Sequence, residues 1–235
     1  LFDTHAHYDD ERFSEDRDET IERAYKSGVK YILNASYDLK SSSESILLSE
    51  KYDFIYAAVG IHPHDAASVD DSTISALEDY ASKSKKVVAI GEIGLDYYYD
   101  NSPRELQRYW FAQQIRLARK LGLPIIVHDR DAHEDALNIV REEEAGEVGG
   151  VFHCYSGSVE MAKELIKNNF YIALGGAVTF KNARKAVDVA AFVPDDRLLI
   201  ETDCPYMAPE PFRGKRNESS YVRLVAEKIA QIRGV

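Results

Sequence analysis

Short apolar and β-branched runs recur along the chain at Phe2 to Ala6, Tyr31 to Ala35, Phe54 to Ile61, Val87 to Ile93, Pro124 to His128, Val151 to Tyr155, Phe170 to Leu174 and Leu198 to Thr202. Their lengths and the turn residues around them predict eight strands. The stretches between carry helical spacing. It is clearest in Arg104 to Leu121, where Leu106, Tyr109, Trp110, Gln113, Leu117 and Leu121 recur about once per turn, and again in Glu160 to Lys167. Helices that cross over between strands make the neighbouring strands parallel. Eight such units in 235 residues predict an α/β fold, a single (β/α)8 TIM barrel whose site collects at the carboxyl ends of the strands. A doubly wound open sheet competes, but it gathers its chemistry at the one crevice where strand order reverses.

No linker separates modules, so residues 1–235 are expected to form one barrel domain. Ser41-Ser42-Ser43 and Asp70-Asp71-Ser72 read as helix starts, and Gly149-Gly150 and Pro194-Asp195-Asp196 as turns before strands. Pro205 to Arg216 reads as a long rim loop ahead of a last helix from about Glu218. Hydrophobic residues make up 45% of the chain, enough for one substantial core. No apolar run is long enough for a bilayer, and Leu1-Phe2-Asp3 leads into charge where a secretory leader would be apolar, so a cytoplasmic protein without a membrane partner is expected.

Chemistry sits at the ends of the strands. In Asp3-Thr4-His5-Ala6-His7 the two histidines are one residue apart, so an extended backbone turns both imidazoles to one face, where they can share a metal. Glu92, His128, His153 and Asp203 close other apolar runs. Taken alone, a strand-end histidine is commonly a hydrogen-bonded core residue and a strand-end carboxylate a turn acceptor. Six such groups at one rim are costly to hold together without a cation or a dense hydrogen-bond network. Histidine-rich coordination suits Zn²⁺ or Mn²⁺ better than Mg²⁺. Cys154 and Cys204 each follow a candidate ligand, and strand alternation would turn both thiols to the opposite face as packing residues.

A net charge of −11 argues against a broad basic groove for nucleic acid, though bound divalent ions would reverse the local sign for one strand end. His62 is a candidate phosphate contact, and so is Arg130, which could equally pair with Asp129 or Asp131. Asp96 is placed to orient a ligand histidine. Tyr97, with Tyr98 and Tyr99, could stack on a terminal base or simply pack the rim. Arg213 and Arg216 are candidate backbone contacts, and Asn217 reads as a residue that fixes the loop or the following helix.

The ordered set DTHAH at 3–7, GIHPHD at 60–65, GEIGLDYYYD at 91–100, PIIVHDRDAHEDAL at 124–137, HCYSGS at 153–158 and LLIETDCPYMAPEPFRGKRNESSYV at 198–222 resembles the TatD family of metal-dependent deoxyribonucleases, barrel hydrolases related to amidohydrolases. The resemblance covers nearly the whole chain. It implies two divalent metal ions, Mg²⁺ or Mn²⁺ in use, one surrounded by His5, His7, Glu92 and Asp203, the other by Glu92, His128 and His153, with Glu92 bridging. It also implies a 3′–5′ exonuclease on single-stranded or frayed DNA; placing these charges around a phosphodiester makes Asp203 and Glu92 the candidate catalytic residues, and no obligate protein partner is expected. Asn217-Glu218-Ser219-Ser220 departs from the family's Asn-Glu-Pro, and relatives usually continue past the position of Val235 through another helix. Two rivals remain: an amide or ester hydrolase, including one acting on an aminoacyl ester, and a non-catalytic barrel stabilised by metal.

Overall fold

The computed structural model describes residues 1–235. Eight strands pair in parallel in sequence order: β1 (Phe2–Ala6), β2 (Tyr31–Ala35), β3 (Ile55–Val59), β4 (Val87–Asp96), β5 (Ile125–Arg130), β6 (Gly150–Phe152), β7 (Phe170–Leu174) and β8 (Leu198–Ile200). Around them lie α1 (Arg17–Lys26), α2 (Leu39–Lys51), α3 (Asp71–Lys83), α4 (Arg104–Leu121), α5 (His133–Glu142), α6 (Val159–Lys167), α7 (Arg184–Phe192) and α8 (Val222–Arg233). The architecture is the (β/α)8 barrel. No helix is long and apolar enough to cross a membrane.

Strands with apolar side chains on both faces need cover on both, and they have it. One large cluster joins β3 to β7 with the helices outside them, among them Val59, Ile93, Phe111, Phe152 and Phe170. A smaller cluster around Tyr8, Phe13, Ile21, Ile32 and Val222 covers β1 and β2.

Closure between β8 and β1 is irregular. Beyond Ile200 the chain is stitched to β1 by Asp203 N–H to His5 O (2.9 Å) and His7 N–H to Cys204 O (2.8 Å). The Asp3 carboxylate accepts from Thr202 N–H (2.8 Å) and Thr202 Oγ1 (2.6 Å) across the same seam.

Several boundaries differ from the periodicity. β4 runs three residues past Ile93 to Asp96, because a register shift against β5 between Ile90 and Ile93 lets pairing resume. Glu92 therefore lies inside a strand. β6 stops at Phe152, and β3 stops at Val59 before a 3-10 helix over Pro63–Ser68. α2 starts before the serine run: Asp38 caps it and Ser41 completes a capping box from inside the first turn. In α4 the buried stripe is rotated to Gln107, Trp110, Phe111, Gln114 and Leu117, leaving Tyr109 exposed. The rotation puts two glutamines to use. Gln114 bonds the backbone N–H and carbonyl of Ile61 (2.8 and 3.1 Å), and Gln107 accepts from Asp96 N–H (2.9 Å).

Close approach of β4 to β5 requires glycine. Gly94 has φ +143°, and a Cβ there would stand 2.0 Å from His128 O. Gly94→Ala should lower stability by about 3 kcal/mol, the upper range for an inserted methyl group in a packed core. Denaturant unfolding checks this, and an unchanged midpoint would contradict the packing described.

Candidate metal centre

His5 from β1 and His7 just beyond its end project into the mouth of the barrel, with their Nε2 atoms 3.1 Å apart. The Nδ1 of His7 lies 2.9 Å from Ala35 O. A carbonyl can only accept, so that nitrogen carries the hydrogen, and in the neutral ring the Nε2 lone pair faces the centre. Glu92 enters from β4, with Oε2 3.3 Å from His5 Nε2, and Oε1 2.7 Å from His128 Nδ1 and 2.6 Å from His153 Nε2. Asp203 Oδ1 lies 3.3 Å from His7 Nε2. Asp203 sits in the left-handed backbone region at φ 58°, held there by the seam bond to His5.

Three overlapping triads bring their ligand atoms within 4.8 Å of one another: His5 with His7 and Asp203; His5 with Glu92 and His153; and Glu92 with His62 and His128. His62 thus stands beside the candidate ligands, with Nε2 3.6 Å from Glu92 Oε1. Its ring leaves the strand path because Pro63 starts a 3-10 helix for which His62 is the cap. The chemistry fits divalent cations. Imidazole nitrogens and carboxylate oxygens are their ligands, and buried His5 Nδ1 and His153 Nδ1 have no hydrogen-bond partner that would explain the rings as core residues. The groups form two clusters poised to coordinate divalent metals, linked through His5 and Glu92.

The electrostatics are those of mutually compensating buried charge. Burial opposes ionisation of Glu92, but the facing His153, His62 and His5 hold it well below the usual carboxylate range. Burial would also lower His7, but the bond and charge of Asp203 together with Glu92 lift it to about 10. His5, with burial and the neighbouring His153 against its cation, drops to about 4. His128 rises to about 9 against burial, through its contacts with Asp96 and Glu92. Asp96 Oδ2 receives both His64 Nε2 (2.9 Å) and His128 Nε2 (3.2 Å), and it fixes the edge that His128 turns to Glu92.

A model of the TatD related DNase family matches residues 2–235. The chain belongs to this family. It is 50% identical to the uncharacterized metal-dependent hydrolase YabD of Bacillus subtilis, over 99% of this chain and 91% of that protein. It is 34% identical to the 3′-5′ ssDNA/RNA exonuclease TatD of Cronobacter sakazakii, over 100% of this chain and 90% of that one. The crystal structure of YjjV, a TatD homolog from Escherichia coli, superposes with a TM-score of 0.93 at 32% identity, covering 99% of this chain and 90% of that chain. Family and clusters together make the protein a metal-dependent hydrolase.

The remaining positions singled out in the TatD-like motifs divide into two groups. Arg130 and Arg213 line a cavity of about 660 Å³ beside the centre, which His128, His153 and Asp203 also line. Arg130 stacks on Tyr98 at 4.2 Å, not on its acidic neighbours. Tyr97 instead donates its hydroxyl to Asp135 (2.5 Å) and lies under Arg104, leaving Tyr98 and Tyr99 as the exposed rings. Arg216 turns away from the cavity into a two-bond ion pair with Asp16 (2.7 and 2.6 Å). Asn217 ties the loop together by donating to Thr202 O and Tyr206 O, both at 2.7 Å.

Two residues escaped the motif reading. Cys154 does not face away from the ligands: β6 has ended, the residue takes φ 44°, and it lines the cavity. Glu201 is fully buried and accepts Cys154 N–H (2.5 Å), with its carboxylate 3.8 Å from His153 Nδ1. Alternation along Glu201-Thr202-Asp203 would have placed Glu201 on the face of Asp203.

Asp96→Asn should weaken binding of divalent metal by about 10- to 100-fold, the usual effect of losing a ligand's supporting carboxylate. Titration calorimetry with Mn²⁺ reads it, and an unaltered affinity would remove Asp96 from the centre.

Proposed function

We propose that this protein is a nuclease that hydrolyses phosphodiester bonds of DNA, as a 3′–5′ exonuclease on single-stranded or frayed ends. One observation carries the reading. The histidine and carboxylate centre opens into a cavity with an aromatic side chain, Phe180, and four cations, Arg130, Arg184, Lys185 and Arg213, a lining suited to a nucleotide chain. The name of the Cronobacter relative supports the same substrate class.

His5, His7, Glu92 and Asp203 would hold one divalent ion, and Glu92, His128 and His153 a second, with Mg²⁺ or Mn²⁺ in use. When bound, such ions polarise the phosphate, acidify water and neutralise charge developing on the departing oxygen. Asp203, whose carboxyl is kept ionised by His7 and His5 despite burial, orients the attacking water and accepts its proton. Water oxygen bonds to phosphorus, the bond from phosphorus to the 3′ oxygen breaks, and that oxygen takes a proton. The products are a 5′-mononucleotide and a strand shorter by one with a new 3′ hydroxyl. Burial and the nearby His128 hold His62 neutral, and it donates a hydrogen bond to a phosphate oxygen. Arg130 supplies fixed positive charge at the rim.

End-labelled single-stranded DNA, duplex and RNA, incubated with Mn²⁺ or Mg²⁺, should give a ladder descending from the 3′ end of the single strand. Chelator should stop it. Asp203→Ala should slow cleavage at least about 100-fold, as expected for a group moving a proton in the transition state, while far-ultraviolet circular dichroism stays unchanged. Turnover of an aminoacyl ester with no cleavage of any nucleic acid would overturn the assignment.

A further inference from the structure

The two sides of the metal centre differ in charge. Beyond His7 stand Tyr37 and Tyr206, ring centroids 6.3 and 6.1 Å away, with Asp9 and Asp10 behind them; Asp10 accepts from the Tyr206 hydroxyl (3.0 Å) and is paired with Arg12 (3.2 Å), whose guanidinium lies over the Tyr206 ring at 4.1 Å. Asp9 is buried, and its Oδ2 has no partner. Beyond His128, His153 and Asp203 lies the 660 Å³ cavity, whose lining carries four cations, Arg130, Arg184, Lys185 and Arg213, against one further acid, Asp129.

The far wall of that cavity is constructed. A 3-10 helix over Gly176–Thr179 leads into Phe180, and the loop after β8 is clipped against it by Glu210 N–H to Thr179 Oγ1 (2.9 Å). Gly176 permits the contact, since a Cβ there would lie 1.9 Å from Met207 O. Met207 is held at φ 51°, is 39% exposed and lines the cavity. Arg213 lies over the Phe180 ring at 4.2 Å. Moving Arg213 from the ring to a phosphate would free the Phe180 face for a base, so this wall next to the metal centre matches a base and that nucleotide's own 5′ phosphate.

We propose that the cavity walled by Phe180, Met207 and Arg213 is a subsite for the nucleotide on the 5′ side of the bond to be cut, its base on Phe180 and Met207 and its own 5′ phosphate on Arg213 and Arg184. The proposal rests on the nuclease reading above. Charge assigns the side: the 3′-terminal nucleoside has no phosphate beyond the scissile one and suits the flank where Asp10 and Arg12 already pair with each other. The rest of the strand brings a phosphate with every residue and suits the basic one.

Short substrates test it. A dinucleotide carrying a 5′ phosphate should be cleaved with a kcat/KM about tenfold above the same dinucleotide without it, the scale of one charge-assisted hydrogen bond. Arg213→Ala should erase most of that preference. An abasic residue 5′ of the scissile bond should cost wild type about tenfold through lost stacking. Phe180→Leu, which keeps apolar bulk but loses the ring, should feel the abasic change much less. Mn²⁺ binding isotherms matching wild type would show that each variant keeps its centre. If wild type cleaves the dinucleotides but ignores the 5′ phosphate, or Arg213→Ala retains the preference, the subsite is wrong and the nuclease reading stands. The subsite is equally wrong if Phe180 responds to an abasic 3′-terminal nucleotide instead. Failure of wild type to cleave any oligonucleotide would sink both.

Discussion

Closing the barrel and building the centre are one act, because the seam between β8 and β1 has no regular ladder to close it. The backbone bonds that replace the ladder run from Asp203 to His5 and between His7 and Cys204. Three candidate ligands are therefore positioned by the same hydrogen bonds that join the first strand to the last. Asp3 strengthens the seam through Thr202, at the cost of burying a carboxylate whose pKa burial lifts to about 6 although Ser219 and Thr202 pull it down. The polar residues here are tied into closure, which accounts for so many ionisable groups in a buried place.

The second constraint is charge. Glu92, Asp203, Asp96 and Glu201 lie among five histidines in a volume that water barely reaches, and isolated charges there would cost several kcal/mol each. The groups resolve this by environment. Carboxylates facing imidazoles, such as Glu92 and Asp96, are held ionised, while Glu201, where burial dominates, moves up to about 8. Such an arrangement is suited to exchanging protons for cations.

The fold and the convergence of ligands were legible because both follow from periods. Two-residue alternation put His5 and His7 on one face, and strand ends in a parallel barrel share one rim. The failures have a common cause in residues that leave the period. Cys154 is turned by its left-handed backbone, and Arg216 by a partner, Asp16, two hundred residues earlier. The buried face of α4 was misplaced for a different reason. Gln107 and Gln114 are not among the residues whose spacing marks this helix, yet they point inward to satisfy strand-end backbone groups that no regular ladder serves.

The cavity wall lay further still from the sequence, and its position explains why. Phe180 and Met207 belong to segments with no periodic signal, brought together only because β7 and β8 are neighbours and Gly176 lets two loops touch. A barrel fixes the strand ends tightly and leaves the loops above them free to differ, so the centre is specified by motifs while its surroundings are specified by contacts between loops. The candidate ligands therefore sit in the part that the sequence announces, and the wall of the cavity beside them in the part that only the folded chain assembles.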